Sequence, residues 1–259
     1  MTSRTSDTDH DAAKLAYTLR LGDNALVLSQ RLIEGVAHGP ELEEELANAN
    51  LALDYLGQAR MFYTYAGELE GEGRTEDDFA FFRDPGEFQN VLLVEQPNGH
   101  FGDTIVRQVL FDSFYLLQLE ALAACNDKRL CEIAVRAVKE VRYHLRHASQ
   151  WLVRLGDGTD LSHERAQASL DELWRFTSEL FSGDEIDRVF RDACQGPDLG
   201  VIEQAWRDSI KTLLAEATLE MPEDGWMASG GRRGIHSEQF SYLIGEMQQL
   251  PRNHPGASW

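Results

Sequence analysis

Apolar residues recur at helical spacing in four long stretches, which come as two pairs separated by an interval of different character. In the first stretch Leu15, Leu19, Leu26, Leu32, Ile33 and Val36 run up to the stop at Gly39-Pro40, predicting a helix over residues 12–36, open to a break near Gly22. A second helix starts at Pro40, where Glu41, Glu43, Glu44 and Glu45 complement a helix N-terminus. Its stripe is Leu42, Leu46, Ala49, Leu53 and Leu56, at steps of 4, 3, 4 and 3. The second pair begins after Pro97-Asn98-Gly99. Asp103 is expected to cap a helix with the stripe Ile105, Val109, Asp112, Leu116, Leu119 and Ala123. After Asn126-Asp127 another carries Ile133, Ala137, Val141, His144, Ala148, Trp151 and Leu155. One of these stripes includes a carboxylate and the other a histidine.

Residues 77–100 read as a long crossover containing a short helix, because the β-like run Val91 to Val94 is bracketed by turns and has no strand to pair with. Further helices are expected at 162–181, at 183–193 behind a Ser182-x-x-Glu185 capping box, and at 198–220 and 236–250. Two helical hairpins joined by a long crossover, with additional C-terminal helices, make an all-α, ferritin-like four-helix bundle. Residues 1–11 are polar and expected to be a flexible arm, and no composition break divides the remainder, so residues 12–259 are expected to be a single domain.

Composition narrows the partners. A balance of 24 Lys plus Arg against 44 Asp plus Glu gives a net charge of -20, which repels nucleic acid and anionic lipid. No run approaches the roughly 18 apolar residues of a membrane span, and Cys125, Cys131 and Cys194 form neither an even set nor a Cys-x-x-Cys. Cytoplasm is the expected location.

A bundle of this type can carry a di-iron site built from inward carboxylates and two Glu-x-x-His motifs. The core stretches contain no such motif. The nearest approach is Glu140 with His144, and Glu140 lies off the stripe that holds Val141 and His144. Asp112 and His144 are therefore expected to be a hydrogen-bonded core pair that fixes helix register. The other histidines, His147, His163 and His236 among them, read as surface residues. The glycine-flanked Arg232 and Arg233, with His236 nearby, form the most concentrated basic spot, a candidate site for an anion or an acidic partner.

The segments Tyr17 to Arg31, Leu53 to Arg60, Leu93 to Gly99, Lys139 to Arg146 and Trp174 to Thr177 resemble, in this order, the C-subunit family of bacterial ring-1,2-phenylacetyl-CoA epoxidases, and the resemblance runs from about Leu15 to Trp259. It implies a non-catalytic structural subunit in aerobic phenylacetate catabolism. Its partners would be the di-iron catalytic A subunit and the other subunits, the NADPH-dependent reductase included. The A subunit has the same fold, and its six ligand positions fall here on Ala25, Tyr55, Gln58, Asp112, Val141 and His144, so that only Asp112 and His144 keep a ligand residue. The resemblance thus implies a vestigial metal site, no cofactor in this chain, and the di-iron centre in the partner. The alternatives are a metal-binding ferritin-like oxidase in its own right and a storage or stress protein of the same fold; iron content separates the first, co-purification the second.

Overall fold

The computed structural model describes residues 7–36 and 38–257, and every regular element among them is helical. The first helix, α1 (Asp7–Glu34), passes Gly22 without a break, and α2 (Leu42–Glu70) follows. The crossover holds α3 (Glu76–Phe81), a 3₁₀ turn at Pro85–Glu87 and α4 (Leu92–Glu95); the β-like run is thus largely a helical turn. Next come α5 (Phe101–Leu122), α6 (Lys128–Gly156), α7 (Asp160–Trp174), α8 (Ser178–Phe181), α9 (Glu185–Cys194) and α10 (Leu199–Glu216). A 3₁₀ turn at Gly231–Arg233 precedes α11 (Glu238–Asn253). Of the expected arm, residues 7–11 are helical and residues 1–6 lie outside the described residues. No helix among the described residues is long and apolar enough to cross a membrane.

Local chemistry sets these boundaries. Thr75 and Asp78 cap α3 reciprocally, and Asp127 caps α6 by accepting from the Leu130 amide at 3.0 Å. Two expected caps are displaced. The residue before α5 is His100, and Asp103 sits in the first turn, where its carboxylate accepts from the His100 amide at 2.7 Å. The box at α9 is Asp184 with Asp187 instead of Ser182 with Glu185, since Asp184 accepts from the amides of Ile186 and Asp187.

Although composition is continuous along the chain, its contacts gather it into two compact units. One contains α1 to α4 and α11, and the other contains α5 to α10. In the second, α5 packs against α6, α7 and α10, and Trp206 of α10 donates to the Leu110 carbonyl at 3.0 Å. The stripes expected on α5 and α6 face inward there, with Ile105, Val109, Asp112 and Leu119 buried beside Ile133, Ala137, Val141, His144 and Ala148.

In the first unit the expected α1 stripe holds only in part, at Leu26 and Leu32, and the α2 stripe does not hold. On α1 the core residues include Tyr17, Leu21, Ala25, Leu28 and Leu32, while Ile33 is exposed. On α2 the leucine stripe points outward, with Leu42 66%, Leu46 57%, Leu53 62% and Leu56 42% exposed. The buried face is Asn48, Leu51, Ala52, Tyr55, Gln58, Ala59, Phe62, Tyr63 and Ala66. Two apolar faces compete on this helix. The one against α1 is built from aromatic and small residues, which allow close approach and bury more area per residue than leucine where they are aromatic.

Candidate functional site

The six positions that the resemblance assigns to a metal site divide between the two units. Ala25, Tyr55 and Gln58 lie on α1 and α2 of the first, and Asp112, Val141 and His144 lie on α5 and α6 of the second. All six have no exposure. Asp112 accepts from the Gln108 side-chain amide, one turn earlier, at 3.2 Å. Glu140, the off-stripe acid, is turned toward Arg136 at 3.3 Å. By residue type, Ala25 and Val141 offer no metal donor atom, and the resemblance implies that Tyr55 and Gln58 replace a carboxylate and an imidazole, a set that does not fit a di-iron centre. Among the described residues no group of three or more His, Cys, Asp and Glu is arranged to hold a metal ion.

Two polar clusters that hydropathy reading did not find organise the first unit. In one, the buried Asp23 carboxylate of α1 accepts from the Tyr63 hydroxyl of α2 at 2.7 Å, from the Gln89 amide at 2.8 Å, and from the Arg83 guanidinium. Arg83 also donates to the carbonyls of Phe79 and Glu87, at 2.7 and 3.2 Å, and lies 4.1 Å over the Phe88 ring. Burial, then the Asp23 charge, pushes the Tyr63 phenol well above its usual value, so that it stays a donor.

The second cluster surrounds Glu95, at the end of α4. Its carboxylate accepts from Asn90 at 2.9 Å and from the Ser237 amide at 2.7 Å, and it meets His236 Nδ1 at 2.7 Å. His236 Nε2 lies 2.9 Å from the Phe88 carbonyl. Both ring nitrogens face acceptors, an arrangement that the doubly protonated ring satisfies and neither neutral tautomer does. Burial by itself would lower the His236 pKa, but the hydrogen bond and charge of Glu95 and the Phe88 carbonyl raise it above the ordinary value. Arg31 completes the joint by donating to the carbonyls of Glu95 and Gln239, at 2.9 and 3.1 Å.

His236 is accordingly an internal clamp, its side chain 4% exposed, which corrects its surface reading. Arg233 is exposed and Arg232 half-buried on the 3₁₀ turn. The loop that carries them is pressed onto the crossover. A Cβ on Gly231 would fall 2.2 Å from the Asn90 carbonyl oxygen, and one on Gly234, where φ is +73°, would fall 2.0 Å from that of Gly86. The glycines here permit backbone contact.

Helical hairpins in this chain order, with a long crossover and helices appended after them, define a ferritin-like all-α protein. A family model described as phenylacetic acid catabolic protein matches residues 1–259, and the chain belongs to that family. A relative in Escherichia coli (strain K12), named as the C subunit of 1,2-phenylacetyl-CoA epoxidase, is 49% identical over 244 residues, which cover 94% of this chain and 98% of the relative.

Proposed function

We propose that the chain is the non-catalytic structural subunit of a 1,2-phenylacetyl-CoA epoxidase in aerobic phenylacetate catabolism, cytoplasmic and without a cofactor of its own, bound to a di-iron catalytic subunit within an assembly that also includes the reductase. The observation that carries the reading is the 49% identity, along nearly the whole of both chains, to a protein named as the C subunit of that enzyme. The donor-poor set at Ala25, Tyr55, Gln58 and Val141 supports assigning the chemistry to another chain. Support is a physical task, because a metal site displaced by about 1 Å loses much of its activity and a second bundle can hold the ligand helices in place. Asp112 and His144, buried on helices that pack together, serve register and stability in this reading.

Co-expression with the catalytic subunit, followed by size exclusion and metal analysis of each separated chain, tests the proposal. The two chains are expected to elute together, with iron on the catalytic chain alone. About two iron atoms retained by this chain after mild chelation, as a di-iron site holds, would overturn it.

A further inference from the structure

All three cysteines of the chain gather at one end of the second unit. Cys125 lies in the turn between α5 and α6, Cys131 near the start of α6, and Cys194 closes α9. The carbonyls in the last turn of a helix find no donor within it. At the end of α9, where Gln195 takes a left-handed φ of 52°, the Cys194 carbonyl instead accepts from the Asn126 amide at 2.8 Å. That bond sets the backbone of Cys194 beside that of Cys125.

The sulfurs follow the backbone. Cys125 and Cys194 are both buried, whereas Cys131 is half-buried. Cys125 Sγ lies 3.5 Å from the Asp127 carbonyl, and Cys131 Sγ donates to the Ala123 carbonyl at 2.9 Å. Both neighbouring thiols act electrostatically on Cys125, Cys194 more strongly than Cys131. Nothing in the proposed function uses these groups.

We propose that Cys125 and Cys194 form a redox-modification site, which closes to a disulfide within the chain when the protein meets hydrogen peroxide. Backbones joined by hydrogen bonds bring facing Cα atoms to about 4.5–5.5 Å, inside the roughly 4.4–6.8 Å that a disulfide spans. One thiolate attacks a peroxide oxygen, breaking the O–O bond to leave a sulfenic acid and hydroxide. The other thiolate then displaces hydroxide from the sulfenic sulfur, and the S–S bond forms. The two sulfurs give up two electrons to the peroxide, and the two thiol protons convert both hydroxides to water. In a reducing compartment a bond of this kind is transient and registers an oxidant. The loop it closes contains α6, α7 and α8, so the bond restrains a long stretch of the unfolded chain and stabilises the second unit.

Peptide mapping of the full chain tests the pairing, since Lys128, Arg129 and Arg136 among other basic residues let trypsin place the three cysteines on separate peptides. The reduced protein is treated with hydrogen peroxide, capped with N-ethylmaleimide and digested without reductant. Mass spectrometry is expected to find the Cys125 and Cys194 peptides joined, two hydrogens lighter than their sum, and separated again by dithiothreitol. Cys194→Ser is expected to lose the link and Cys131→Ser to keep it. Peroxide is expected to move the urea midpoint of the wild type upward, and not that of Cys194→Ser. Cys125 joined mainly to Cys131 would overturn the proposal. So would links found only between chains, at twice the chain mass on a non-reducing gel, or thiols that are capped or oxidised singly with no link formed. The mapping of the wild type decides between these outcomes even if a serine variant fails to fold.

Discussion

Asp23 and Arg83 form an ion pair in which neither side chain is more than 6% exposed, and each is held by further neutral partners. Both oxygens of Asp23 are engaged, and Arg83 bonds to two carbonyls besides. Such a pair joins α1 to the crossover. Its removal from one side strands a charge, whereas removal from both sides does not.

Asp23→Ala is therefore expected to destabilise the protein by about 3–5 kcal/mol in urea denaturation, through the buried guanidinium left behind. Asp23→Leu combined with Arg83→Met is expected to cost less than the sum of the two single changes. Strict additivity in that double-mutant cycle would show that the pair is not coupled.

The His236–Glu95 contact predicts a pH dependence with a definite sign. A histidine whose pKa is raised on folding contributes its full stability below the unfolded value, about 6.5, and loses it as pH rises through the folded value. Urea midpoints of the wild type are expected to fall as pH is raised above this range more steeply than those of His236→Gln. Parallel profiles for the two proteins would remove the imidazolium from the account.

Gly231→Ala is expected to cost about 1–3 kcal/mol, the usual range for overpacking, because its new methyl group collides with the carbonyl of Asn90. Thermal melting measures it. Arg233→Gln, on the same turn but exposed, is expected to stay within about 0.5 kcal/mol of the wild type. Equal melting of all three proteins would mean that the loop is not locked to the crossover.

Asp112→Ala and His144→Ala are each expected to lower the melting temperature, by the roughly 1–3 kcal/mol associated with a buried polar group that loses its partner. Wild-type melting of both variants, together with lost turnover in the assembled epoxidase, would assign them a chemical role instead.

Periodicity located the helices well where one apolar face dominates. On α6, the stripe from Ile133 to Ala148 is the face that packs. On α2 it selected leucines that are exposed, because Tyr55, Gln58 and Tyr63 on the packed face score as polar although their carbon surface and internal hydrogen bonds suit a core. The polar clusters were illegible for another reason. Glu95 and His236 lie 141 positions apart, and Asp23 and Arg83 lie 60 apart. No local pattern links such pairs. The glycine-flanked arginines were found by composition, but composition does not distinguish a mobile loop from one pressed onto a neighbouring backbone. The substituted ligand positions are what the resemblance implies, an expectation that rests on aligned sequence and not on geometry.

The order in which the chain is made gives the divided first unit a kinetic consequence. Glu95 is synthesised with the crossover, but His236 and the Ser237 amide follow only after all of α5 to α10. Since domains tend to fold as they emerge during synthesis, the second unit can close while the first still holds a carboxylate lacking its imidazolium. Closure of α11 over the crossover is then a late step, dependent on distant contacts and slow for that reason. Nascent chains halted before Gly230 are the species from which a chaperone or a protease would have most to gain.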